Sequence, residues 1–161
     1  MLKLKNNNSY LQLAMTTDKN YQKKFDDFQQ ACVEAGIKLT HQRIEIFKIM
    51  MATKDHLSAE DVYDILKPTM PTIALDTIYR TLSTFVELGI VTRLKIIDDR
   101  IRFDPNLKKH CHFICNQCKI IKDFYWPEFE DWAIPLDIKK IGDVESRYLE
   151  LRGLCRNCKN I

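Results

Sequence analysis

The sequence predicts an α+β fold in two parts, an N-terminal winged helix-turn-helix domain followed by a small α/β domain. Three observations predict it: four segments of helical period before Gly89, a switch to period two directly after it, and a change of texture past Pro105. Residues 1–22 are polar, rich in Asn and Lys, and are expected to form a tail. Phe25, Phe28, Cys32 and Ala35 then recur at helical spacing up to Gly36, which suits a C-terminal cap. Cys32 sits on the apolar face of this helix and is expected in the core.

Thr40 is a plausible N-cap for a second helix, whose inner face is Ile44, Phe47, Met50 and Met51 and which ends near Ala52. Ser58-Ala-Glu-Asp61 resembles a capping box for a third helix through Val62, Ile65 and Leu66, stopped by Pro68. The fourth helix begins after Pro71. It places Ile78, Leu82, Phe85 and Val86 on one face and Thr77, Arg80, Thr81 and Thr84 on the other. Val91 to Ile97 and Ile101 to Asp104 alternate around an Asp98-Asp99-Arg100 turn, which makes a small hairpin. Helices followed by a hairpin describe a winged helix-turn-helix over 23–104. Residues 105–109 are read as a hinge. In the second domain, 110–161, strand-like pieces run from His112 to Cys115 and from Ile120 to Phe124. An amphipathic segment from Pro127 to Ile138 and an alternating strand from Val144 to Gly153 complete it.

Composition bounds the function. The 161 residues are 45% hydrophobic, enough for a real core, and the net charge of +3 is too small to argue for nucleic acid by itself. Residues 1–105 carry fifteen Lys and Arg against fourteen Asp and Glu, so the halves do not separate by charge either. The start has no apolar signal core, and no apolar run is long enough for a membrane span. A cytoplasmic protein without a membrane partner is expected.

Four of the six cysteines form two Cys-x-x-Cys pairs, Cys115/Cys118 and Cys155/Cys158. Each pair places two sulfurs on a knuckle, which suits two corners of a tetrahedron, and four thiolates leave no open position. One structural Zn2+ per chain is expected, with a redox dithiol, an iron site or plain buried cysteines as its rivals. The intervening 36 residues mean that the metal ties remote strands together.

His110-Cys-His112 puts two imidazoles on one side of an extended strand, a chelating pair, and Cys111 on the other. Asp104, Asp123 and His56 are further N/O donors whose partnership with that pair spacing alone does not establish, and His41 is expected at the surface. Mixed nitrogen and oxygen ligands suit Fe(II), Mn(II) or Zn(II).

The chain resembles the ferric uptake regulator superfamily from about residue 25 to 159. The resemblance rests on Gly36-Ile-Lys-Leu-Thr-His-Gln-Arg43, His56-Leu-Ser-Ala-Glu-Asp-Val-Tyr63, Asp76-Thr-Ile-Tyr-Arg-Thr-Leu82, Glu87-Leu-Gly-Ile-Val91 and the histidine and cysteine runs. It implies a homodimer that binds double-stranded operator DNA, with zinc on the cysteine tetrad in a dimerisation domain. It also implies a regulatory Fe2+ or Mn2+ on His56, Asp104, His110, His112 and Asp123. Asp at position 123 is similar to the peroxide-sensing branch, in which peroxide oxidises a ligand histidine; His56 and His110 match. Lys109, Cys111 and Arg147 stand where many iron sensors carry further ligands, so a second regulatory site is not expected.

Major-groove contacts implied by the resemblance are Thr77, Tyr79, Arg80 and Thr81, with Arg93, Lys95 or Arg100 of the wing near phosphate. Ala74 replaces the usual capping Ser, and Asp76 stands where a carboxylate would face DNA. Either Thr72 caps instead and Asp76 reads a cytosine amino group, or the operator differs. A repressor responding to peroxide is the leading reading. An iron- or zinc-sensing repressor is the alternative within the family, and a zinc redox protein or metal-dependent hydrolase the alternative outside it.

Overall fold

The computed structural model describes residues 19–97 and 100–159, without the side chains of Lys19 and residues 95–97. The chain divides into two compact units between Leu107 and Lys108. Most of the expected tail, and Asp98-Asp99 of the expected turn, lie outside the described residues.

The first unit contains α1 (Lys19–Glu34), α2 (His41–Ala52), α3 (Ala59–Leu66), α4 (Leu75–Glu87), β1 (Thr92–Ile97) and β2 (Arg100–Asp104). Its helix ends follow from local chemistry. Gly36 at φ +68° and Gly89 at φ +66° adopt the left-handed conformation. In each case the next residue's N–H reaches back five residues, Ile37 to the Cys32 carbonyl and Ile90 to the Phe85 carbonyl, both at 2.8 Å. This satisfies carbonyls the helix would leave bare. Thr40 caps α2 through the Arg43 N–H, and Ser58 and Asp61 form a reciprocal capping box on α3.

Two expectations are corrected. Helix α1 begins at Lys19, inside the expected tail, because Tyr21 packs on Phe25 and Phe47 with ring centroids 6.4 Å from each. Thr72 does not cap α4: Ala74 is the N-cap and contributes no side-chain bond. Ala74→Ser is therefore expected to stabilise the protein by about 1 kcal/mol, read as a raised thermal midpoint; an unchanged midpoint would mean that this terminus already has a partner.

Phe28, Phe47 and Phe85 are the centre of the core. Phe28 stacks on Phe47 with centroids 4.3 Å apart, and Phe85 meets Phe28 edge-on at 5.3 Å, arrangements that suit the ring quadrupoles. Cys32 is fully buried among them.

Strands β1 and β2 pair antiparallel, with a register shift between Leu94 and Ile97. A short third segment joins β2: Ser58 bridges to Arg102, and the Phe103 N–H donates to the Leu57 carbonyl at 2.9 Å.

The second unit contains β3 (Cys111–Cys115), β4 (Ile121–Phe124), α5 (Pro127–Asp131), α6 (Leu136–Lys139), β5 (Glu150–Gly153) and α7 (Arg156–Lys159). Its sheet order is β4-β3-β5, with β3 antiparallel to β4 and parallel to β5. The expected amphipathic segment is broken into two short helices. Pro135 cannot donate a helical hydrogen bond and disfavours helical backbone in the residue before it. The expected last strand shortens to Glu150–Gly153. Register sets Glu150 opposite His112, so residues before 149 would need a partner upstream of β3.

Candidate metal centres and reading face

The four knuckle cysteines are gathered by the parallel pairing of β3 and β5. Cys115 ends β3 opposite Gly153, so Cys155, two residues further on, emerges at the same end as the Cys115/Cys118 turn. The Asn116 N–H fastens the two through the Gly153 carbonyl at 2.7 Å. Lys119, at φ 61°, completes the tight return into β4. All four sulfurs lie within 4.8 Å of one another, and those of Cys118 and Cys155 are 3.7 Å apart. Tetrahedral zinc with bonds of about 2.3 Å needs sulfurs roughly 3.8 Å apart.

The electrostatics agree with a cation. The Cys155 N–H, 3.4 Å from the Cys115 sulfur, leads the backbone donors that hold this thiol down to about 6. Burial, together with the thiols of Cys155, Cys118 and Cys115, pushes Cys158 up to about 12. Four sulfurs this close resist ionising together until a dication is among them.

Two imidazole–carboxylate groups are built by strand register, one in each unit. In the first, Ser58 pairs with Arg102 in antiparallel register, so His56 comes opposite Asp104. Both are buried, with His56 Nε2 3.6 Å from Asp104 Oδ2. Asp104 Oδ1 accepts the Asn106 N–H at 2.7 Å, which orients the carboxylate.

In the second, His112 is the register partner of Asp123, and His110 lies two residues away on the same face of β3. His110 Nδ1 is 2.6 Å from the Lys108 carbonyl, a contact that fixes the tautomer and turns Nε2 toward His112. The two Nε2 atoms are 2.8 Å apart, and they stand 3.6 and 3.7 Å from Asp123 Oδ1. Adjacent ligands on one ion with bonds of about 2.1 Å would be separated by roughly 3 Å.

Cys111 is buried, and burial pushes its thiol up, first among causes that include Glu130; it has neither the exposure nor the thiolate of a reactive cysteine. Arg147 donates to the Trp132 and Glu130 carbonyls at 2.6 and 2.5 Å, lying over the Phe129 ring, and Lys109 reaches Glu130 at 3.4 Å. These cations hold α5.

Helix α4 presents a polar groove of about 250 Å³ whose walls include Thr40, Arg43, Thr77, Arg80 and Thr84. Thr81 is only 4% exposed and forms part of the floor, so it offers little surface to a base. Tyr79 is half-buried, and its hydroxyl donates to Glu60. That bond, more than burial, raises the phenol; burial pushes Glu60 up, but hydrogen bonds from Tyr79, its own backbone and Ser58 outweigh it and hold the carboxyl low. Arg93 and Arg100 are exposed on the wing, and the side chain of Lys95 lies outside the described residues.

Sequence reasoning missed Glu60 and Arg102. Arg102 Nη1 donates to Asp61 Oδ2 at 2.5 Å and to the His56 carbonyl at 3.4 Å, tying β2 to the segment that carries His56. The signal was available for Arg102, which shares a strand face with Asp104 by alternation. Glu60 had none.

A winged helix, a zinc-type cysteine tetrad and two imidazole–carboxylate groups define a metal-binding, DNA-binding regulator. The chain belongs to the ferric uptake regulator family, whose model matches residues 34–147. It is 35% identical over 127 residues to a peroxide-responsive repressor PerR of Staphylococcus aureus (strain Mu50), covering 79% of this chain and 86% of the relative. A Staphylococcus epidermidis repressor of the same name is 34% identical over 126 residues, 78% of this chain and 84% of its own. The solved ferric uptake regulator from Francisella tularensis with iron superposes with a TM-score of 0.68 at 31% identity, covering 77% of this chain and 96% of that one. Members of the family are transcriptional regulators, and this chain is not an enzyme. Among the described residues no helix is long and apolar enough to cross a membrane.

Proposed function

We propose that the chain is a metal-dependent repressor that binds operator DNA as a homodimer and leaves it when peroxide oxidises a regulatory ligand. The cysteine tetrad holds zinc; one Fe(II) or Mn(II) is shared by His56 and Asp104 of the first unit and His110, His112 and Asp123 of the second. The reading is carried by the donor chemistry: three imidazoles and two carboxylates, with no thiolate, suit Fe(II) and Mn(II). An ion shared by both units would bias a two-state arrangement of the reading helices, and losing a ligand would release it. The staphylococcal relatives named as peroxide-responsive repressors support the peroxide branch. Exposed Leu136, Ile141 and Tyr148 on the second unit supply apolar surface for a second copy to cover.

Iron held by these residues would supply the electron chemistry for cleaving a peroxide O–O bond. In balance, one oxygen enters an imidazole C–H of His56 or His110, the other leaves as water, and the ring loses two electrons. The test is operator binding by the Fe(II)-loaded and Mn(II)-loaded protein with and without peroxide, followed by mass analysis of both histidine peptides. Peroxide is expected to abolish binding of the iron form only and to add one oxygen atom to one of the peptides. Unmodified histidines and unchanged binding would defeat the reading in favour of metal sensing alone.

A further inference from the structure

We infer that Asp76 is a specificity-determining positioning residue, which sets the Arg80 guanidinium to read a guanine in the major groove; the inference rests on the DNA-binding reading above. The observation is an ion pair on the open face of α4: Arg80 Nε lies 2.9 Å from Asp76 Oδ2, although the two side chains are 81% and 69% exposed. The pair stands at the mouth of the polar groove, where Thr77 and Thr84 provide the neighbouring walls.

The geometry of the pair decides what Arg80 can do. A guanidinium has five N–H donors in a rigid fork. The carboxylate stands against the Nε edge as an ion pair, and among the described residues the head group makes no other ion pair. The two Nη groups are thereby left as an end-on fork, the shape that matches the O6 and N7 acceptors of guanine. A long flexible side chain is oriented before DNA arrives, so less ordering remains at binding.

Asp76 itself is out of place on a surface facing phosphates. An isolated carboxylate there is repelled by the DNA backbone, and an exposed i,i+4 pair adds little to helix stability. That repulsion is accounted for if the carboxylate works through Arg80. Its remaining oxygen can accept from a cytosine amino group, which would add to the same preference.

The test compares wild type, Asp76→Ala, Asp76→Asn, Arg80→Ala and Arg80→Lys, each with zinc and regulatory metal, in selection from a random-sequence duplex pool and in titrations over salt. Wild type is expected to select a guanine at one position of each half-site, by roughly 5- to 150-fold over other bases. Arg80→Ala and Arg80→Lys abolish that preference. Asp76→Ala weakens it by about fivefold or more, while affinity for random DNA rises and the salt dependence steepens as the freed guanidinium turns to phosphate. A merely structural role would lower specific and random binding together. Asp76→Asn, which keeps the shape but removes the charge that faces Nε, weakens the preference as Asp76→Ala does. If Asp76→Ala keeps the wild-type base preference, the inference is overturned while the regulator reading stands. If wild type shows no metal-dependent DNA binding, both fall.

Discussion

Cys118→Ser is expected to abolish zinc binding and leave the second unit without fixed structure while the first still melts cooperatively. The units are built on different means. Among the described residues, fifteen apolar side chains form the buried core of the first unit, whereas only Cys111, Ile114, Cys115 and Ile121 are buried in the second. Four such residues cannot offset the ordering of some fifty. A tetrahedral zinc contributes on the order of 10 kcal/mol to folding, comparable to the whole stability of an ordinary domain. Serine cannot replace the thiolate. Both tryptophans, Trp126 and Trp132, lie in the second unit with rings 5.5 Å apart, so near-ultraviolet circular dichroism reports on that unit selectively. Loss of this signal with zinc content near zero is the expected result; a zinc-free variant keeping the wild-type tryptophan signal would contradict it.

Asp104→Asn is expected to leave zinc and the fold in place and to lower metal-dependent operator affinity by roughly a thousandfold or more, toward the non-specific level. The substitution keeps volume and an oxygen for the Asn106 N–H, but removes the anion that faces His56 at 3.6 Å. A hard dication loses one of its two carboxylates, and the amide that replaces it donates rather than ligates. Operator titration with Fe(II) or Mn(II), beside zinc analysis, checks this. Wild-type affinity in the variant would remove Asp104 from the regulatory set.

What could be read from the sequence was whatever local chemistry decides. Gly36 and Gly89 end their helices because only a left-handed residue closes the last turn, and Thr40 and Ser58 start theirs by occupying bare N–H groups three residues on. The alternation of β3 put His110 and His112 on one face, and paired knuckles announced the tetrad. Tertiary partnerships left no such mark. Tyr79 is tied to Glu60, nineteen residues away, and Arg102 to Asp61, forty-one residues away, and nothing in either neighbourhood signals the other. The uncapped start of α4 escaped for a related reason: its stability comes from the buried Ile78, Leu82 and Phe85, so the cap could be dispensed with.

Strand β3 is five residues long, yet its last residue belongs to the cysteine tetrad while His110 precedes it and His112 lies within it. The strand is held in register with β5 by the knuckles at one end, and the imidazoles at the other inherit that register. On the proposed function, metal acquisition would therefore have a history: zinc on the tetrad would come first, and the place for the regulatory ion would form only afterwards. On that reading, a chain synthesised under zinc starvation would lack the means to notice its regulatory metal at all.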